Sequence, residues 1–138
     1  MLDLQVFFRQ RDMEFQSLEG GGISTAFSTE MMDESEQAFV LLVLPLEDSF
    51  GDNFVRFTVV PFIDQPYDGY PEELFILIGQ VNHGLPMLKF ALDADNDLEL
   101  ALDFRAEELD NERFDVIIQM MADYCALYYP EINALVDK

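Results

Sequence analysis

Apolar and polar residues alternate with period two on both sides of one short acidic loop, and no feature of the chain constrains its fold more tightly. Leu88, Phe90 and Leu92 alternate with Met87, Lys89 and Ala91. Beyond Asp93-Ala94-Asp95-Asn96-Asp97, the residues Leu98, Leu100, Leu102 and Phe104 alternate with Glu99, Ala101, Asp103 and Arg105. Successive side chains of a strand point to opposite faces, so this pattern predicts an antiparallel hairpin with one face in a core and one in water. A hairpin cannot bury such a face alone. The rest of the chain must supply the cover.

Two helical patterns flank the hairpin. Before it, Pro71 suits the first helical position and Glu72 and Glu73 favour the positive end of the helix dipole. Leu74, Leu77, Ile78 and Val81 make one apolar stripe, and Gly84 and Pro86 end it. After it, a helix is expected from about Asn111 to Tyr128, with Asp110 as N-cap and Phe114, Ile117, Ile118, Met121, Cys125 and Tyr128 at helical intervals. Pro130 is then expected to bend or restart the chain before Ile132 and Leu135.

The N-terminal half reads as a short helix over residues 2–12, carrying Leu4, Phe7 and Phe8, then Gly20-Gly21-Gly22 as an open turn. Three strands are expected at residues 23–30, 38–46 and 54–62. The second is apolar at nearly every position, which predicts a central strand covered on both faces. In the third, Pro61 marks the end, since proline cannot donate to a ladder. The acidic stretches 32–36 and 47–53 are turns, the latter with Gly51 as its flexible point. The predicted order is α-β-β-β-α-β-β-α. That is an α+β fold in which helices pack on an antiparallel sheet, formed as a single domain over residues 1–138.

Charge bounds the partners. Twenty-eight Asp and Glu against seven Lys and Arg give a formal net charge of −21. Such a surface repels phosphates, so neither nucleic acid nor anionic membrane is expected to bind. The acidity serves solubility, or it steers a basic partner segment. The single cysteine, Cys125, excludes an internal disulfide framework and suits the cytoplasm or another reducing compartment. The N-terminus shows no basic-then-apolar pattern of a secretory signal.

Reactive constellations are scarce. His83 is the only histidine and has no positioned partner in any motif; beside Gly84 at a helix end, its expected role is to meet the last carbonyls. Asp93, Asp95, Asp97 and Glu99 suggest a calcium loop, but counting from Asp93 the sixth and twelfth positions are Leu98 and Phe104 rather than Gly and Glu. Cys125 lies on an apolar helix face and reads as a buried thiol. No phosphate loop or nucleophile elbow occurs. No catalytic residue, cofactor or metal is expected, and the chain reads as a non-enzyme.

The C-terminal half carries a more specific signal. Val81-Asn82-His83-Gly84-Leu85-Pro86 closes a helix and Leu88-Lys89-Phe90 opens a hairpin, with Asp95 to Asp97 at the turn. Arg113-Phe114, Ala122-Asp123-Tyr124 and Tyr128-Tyr129-Pro130 follow on the final helix. In these residues, and in element order, the chain resembles the YbjN family, whose members look like type III secretion chaperones. Asn96-Asp97 stands where that family often has Asp-Gly. The resemblance implies a small acidic domain, often paired with itself, in chaperone-like or regulatory roles, and it implies no catalytic residues.

What remains is surplus apolar surface. Val116, Met120 and Leu127 lie off the main stripe of the last helix, and with Tyr124 they are expected to form an interaction surface, self-complementary in a homodimer. The leading expectation is a chaperone-like or adaptor-like domain that holds a protein segment against an apolar patch or a sheet edge. The alternative is a regulatory or sensory module whose acidic surface recognises a basic partner.

Overall fold

The structure, a computed structural model, describes residues 3–28 and 38–136. The expected turn at 32–36 and the last two residues of the strand expected at 23–30 lie outside the described residues. Three helices, α1 (Gln5–Arg9), α2 (Glu72–Gly84) and α3 (Asn111–Val136), accompany strands β1 (Gln16–Ser17), β2 (Ile23–Phe27), β3 (Phe39–Glu47), β4 (Asn53–Val59), β5 (Lys89–Leu92) and β6 (Leu98–Arg105). The strands form one antiparallel sheet in the order β1-β2-β3-β4-β6-β5. The fold is α+β in the predicted order, with β1 added.

Register explains the core. Ile23 pairs with Val43, Val43 with Phe57, and Phe57 with Leu102, so one buried apolar row crosses four strands. A second row runs Leu41, Val59, Leu100, Phe90. The helices close this face. Phe114 of α3 stacks on Phe7 of α1 at 4.9 Å, meets Phe8 edge-on at 5.3 Å and reaches Phe57 of the sheet at 5.9 Å. At the other end of α3, Tyr129 meets Phe39 at 5.3 Å and Tyr128 meets Phe90 at 5.9 Å.

The opposite face corrects one expectation. β3 is central, but its second face is not covered. Val40 is 40% exposed, and Leu42, Leu44 and Leu46 are only partly buried. Across β4 and β6 this face turns polar, where Arg56 forks onto both carboxylate oxygens of Asp103 at 2.7 and 2.8 Å. A run apolar at nearly every position was therefore compatible with a half-exposed strand, because the polar residues of this face sit on its neighbours.

Other differences have local causes. α1 is shorter than the pattern of residues 2–12, because Asp12 takes a left-handed backbone (φ 55°) and the chain reverses there, with the Met13 N–H returning to the Phe8 carbonyl. The three glycines form a tight hairpin turn instead of an open one. The Leu18 N–H meets the Gly22 carbonyl at 2.8 Å, and Gly20 and Gly21 adopt the positive φ that glycine alone takes cheaply. α2 begins one residue late, with Pro71 as its N-cap. α3 runs straight through Pro130 to Val136. The lost backbone bond there is offset by packing, since Ile132 is fully buried and Tyr129 packs on Phe39 and Phe62. Asp110 caps α3 as expected, accepting the Arg113 N–H at 2.9 Å.

Candidate interaction surface

The runs of acid that invited a metal reading are turn chemistry. Asp93 Oδ1 accepts the N–H groups of Asp95 and Asp97, both at 2.9 Å, while Asn96 takes a left-handed backbone (φ 64°). The β3–β4 turn repeats this device: Asp48 Oδ1 accepts the N–H groups of Phe50 and Asp52, and Gly51 supplies the positive φ. Asn96 thus does the work of a glycine. Glu99 accepts from the Thr58 hydroxyl at 3.0 Å. Burial, then repulsion from Asp93, Asp95 and Asp64, pushes the Asp97 carboxyl up. No group of three or more His, Cys, Asp or Glu among the described residues is placed to hold a metal.

The other reactive candidates are equally bland. Cys125 is fully buried on the core side of α3, and burial pushes its thiol up to about 12, far from the thiolate a nucleophile needs. His83 is exposed and makes no hydrogen bond or ion pair among the described residues. Its expected place at the α2 carbonyls is taken by Lys89, whose ammonium donates to the Asn82 and Leu85 carbonyls. Among the described residues, a cleft of about 350 Å³ between Pro61, Phe62 and the end of α3 is lined by one carboxylate, Asp64, by Tyr129, and by no histidine, cysteine or serine.

Sheet edges come next. β5 is an outer strand, and it is closed by a side chain that the sequence did not single out for the task. The Asn82 carboxamide donates to the Phe90 carbonyl at 2.8 Å and accepts the Phe90 N–H at 2.7 Å. One side-chain amide therefore stands in for a neighbouring strand at that residue, and an added strand finds no free pair there. The opposite edge, β1, is two residues long.

The face of α3 turned away from the sheet is different. Val116 is 54% exposed and Leu127 62%, with Met120 and Tyr124 half-buried between them. At spacings of four, four and three residues, all four expected residues share one side of the helix. The structure brings them together. A shallow groove of about 230 Å³ joins Val116 and Met120 to Met87, itself 45% exposed, over a floor of Phe104 and Ile117. A second depression along the same helix shares Val116 and Met120 and extends to Tyr124. Tyr124 is braced by stacking on Tyr128 at 6.1 Å. Met87 was the member that sequence reasoning missed. Its signal was its outward position in the alternating run before β5.

Charge surrounds this stripe. Glu112, Asp115, Asp123 and Glu131 lie on α3, against Arg113 alone. Arg113 is engaged by Asp110 at 2.6 Å, and Asp115 by Arg11. The Arg11 hydrogen bond holds the Asp115 carboxyl below the usual carboxylate range; Asp110 is lowered first by the Arg113 backbone N–H and then by its guanidinium. Asp123 receives only a neutral donor, the Gln119 amide at 2.8 Å. Among the described residues, Glu112, Asp123 and Glu131 have no ion-pair partner.

No helix among the described residues is long and apolar enough to cross a membrane. No curated protein matches the chain. A family model for YbjN, described as "putative bacterial sensory transduction regulator", matches residues 3–134, extending through the N-terminal half where residue motifs alone gave only a pattern. With the strand order, the glycine-closed α2 and the α3 motifs all inside that span, the chain belongs to the YbjN family.

Proposed function

We propose that the chain is a non-enzymatic regulatory domain that works by holding a protein partner against the outer stripe of α3. The observation carrying this is the exposure of Val116 and Leu127 beside Met120 and Tyr124 on a helix whose other side is fully committed to the core. Exposed contiguous apolar surface of this kind marks association sites. The family description as a regulator supports the same reading. A chaperone-like role and the secretion-chaperone likeness fit within it: the client is a segment laid along α3. A reducing, cytoplasmic setting suits the lone buried thiol. A homodimer through the same four residues is the second reading, favoured by their lying on one helical stripe that can meet its own copy about a twofold axis.

The test is affinity capture at low and high salt with wild type and the double variant Val116→Ser/Leu127→Ser. Surface substitutions of this type change stability by only about 0.5 kcal/mol or less. The expected result is a partner retained by wild type at both salts and lost from the variant. A partner retained equally by both proteins would refute the assignment. One held by both only at low salt would transfer the function to the acidic surface at large.

A further inference from the structure

The carboxylates beside the stripe that lack an ion-pair partner among the described residues say what chemistry its occupant carries. We infer that the groove along α3 takes a basic amphipathic helix of a partner protein, apolar on one face and lysine- or arginine-bearing on its flanks. The inference rests on the stripe being a contact surface and adds the identity of what covers it.

Glu112, Asp123 and Glu131 interleave with Val116, Met120 and Leu127 along α3, and none of the three has an ion-pair partner among the described residues. From Glu112 to Glu131 the helix rises about 28 Å at 1.5 Å per residue, the length of a five-turn partner helix. An apolar ligand would bury these carboxylates unpaired, which is costly, whereas lysine or arginine flanks satisfy them. Helical form follows from the groove itself. α3 offers side chains and no free backbone pairs, so the occupant must satisfy its own backbone, which a helix does internally.

The same geometry sets one twofold pairing with a second copy of this chain at a disadvantage. An antiparallel self-pairing that lays Val116 on Leu127 of the second copy fixes the register about the point between Met121 and Ala122. That register also lays Glu112 on Glu131 of the second copy, at both ends of the contact. This register thus sets Val116 on Leu127 but Met120 on Asp123, and opposes like charges at its ends, in a chain already at −21.

Three dye-labelled peptides of about 20 residues, long enough to span the stripe, test this by fluorescence anisotropy on the full chain. One carries a leucine stripe with lysine elsewhere, one the same stripe with glutamate elsewhere, and one the lysine composition with its leucines scrambled off the stripe. The leucine–lysine peptide is expected to bind tightest, with Kd raised on the order of tenfold by Val116→Ser/Leu127→Ser and by a similar factor in Glu112→Gln/Asp123→Asn/Glu131→Gln. Circular dichroism is the check that both variants are folded. Equal binding of the lysine and glutamate stripe peptides, both lost in Val116→Ser/Leu127→Ser, would overturn the basic occupant while leaving the stripe as a contact surface. Lysine peptides that bind regardless of leucine order, unaffected by that double variant, would overturn both. A dimer in sedimentation that the leucine–lysine peptide cannot displace would assign the groove to a second copy instead.

Discussion

Phe114→Ala should lower the unfolding free energy by about 3–5 kcal/mol, the range for deleting a large ring from a packed core. Phe114 is fully buried and touches two elements and the turn after α1 at once: the rings of Phe7 and Phe8 on α1, Phe57 on β4, and the Arg11 guanidinium lying 4.7 Å above its own ring. α1 has five residues, too few to persist as a helix in water without tertiary support. Losing Phe114 removes the surface α1 folds on, so the cavity cannot be refilled by a small shift of one neighbour. Against a typical total of about 5–15 kcal/mol the loss is large. Urea denaturation checks it. Phe114→Leu, which keeps most of the volume, should cost far less, and equal losses for the two variants would mean that the aromatic cluster is not what holds α1.

Asn82→Ala is expected to cost about 2 kcal/mol, although it removes no apolar contact of consequence. The change strips two hydrogen bonds from Phe90 and leaves a part-buried N–H and carbonyl on the β5 edge without partners. Asn82→Asp separates the two contributions: it keeps an acceptor for the Phe90 N–H but sets a carboxylate against the Phe90 carbonyl. It should be at least as damaging as alanine at neutral pH and milder in acid, where the protonated carboxyl can donate. Urea midpoints at two pH values read this out. A loss under 0.5 kcal/mol for Asn82→Ala would show that water serves the edge equally well.

Asn82 also shows where sequence reading ends. The residue stood inside the motif that carried the family resemblance, yet nothing in its neighbours says that its amide reaches eight residues forward to a strand. The same holds for Lys89 and His83. The sequence put a histidine at the helix end, and the structure filled that end with a lysine from the next strand. Side-chain-to-backbone bonds across a turn leave no periodic trace.

Periodic features were legible. The β5–β6 hairpin, α2 with its glycine stop, and α3 with Asp110 as cap follow from spacing alone, because each buries a repeating face. The two-residue β1 was invisible, since Gln16 and Ser17 are both exposed and make no pattern. β3 misled in the opposite way, its apolar residues being spent on both a core face and an open one. For the candidate site, Val116, Met120, Tyr124 and Leu127 were readable as apolar residues off the main stripe. Met87 and the want of an ion-pair partner for Glu112, Asp123 and Glu131 among the described residues depend on what folds beside α3, which no spacing encodes.

The most direct measurement is methyl-resolved NMR of the full chain, titrated with the leucine–lysine stripe peptide. Shifts concentrated at the methyl groups of Val116, Met120, Leu127 and Met87, with Val40 and Leu42 on the open sheet face unmoved, are the predicted result. Shifts centred on Val40 and Leu42, with the α3 methyls silent, would contradict the account at its root.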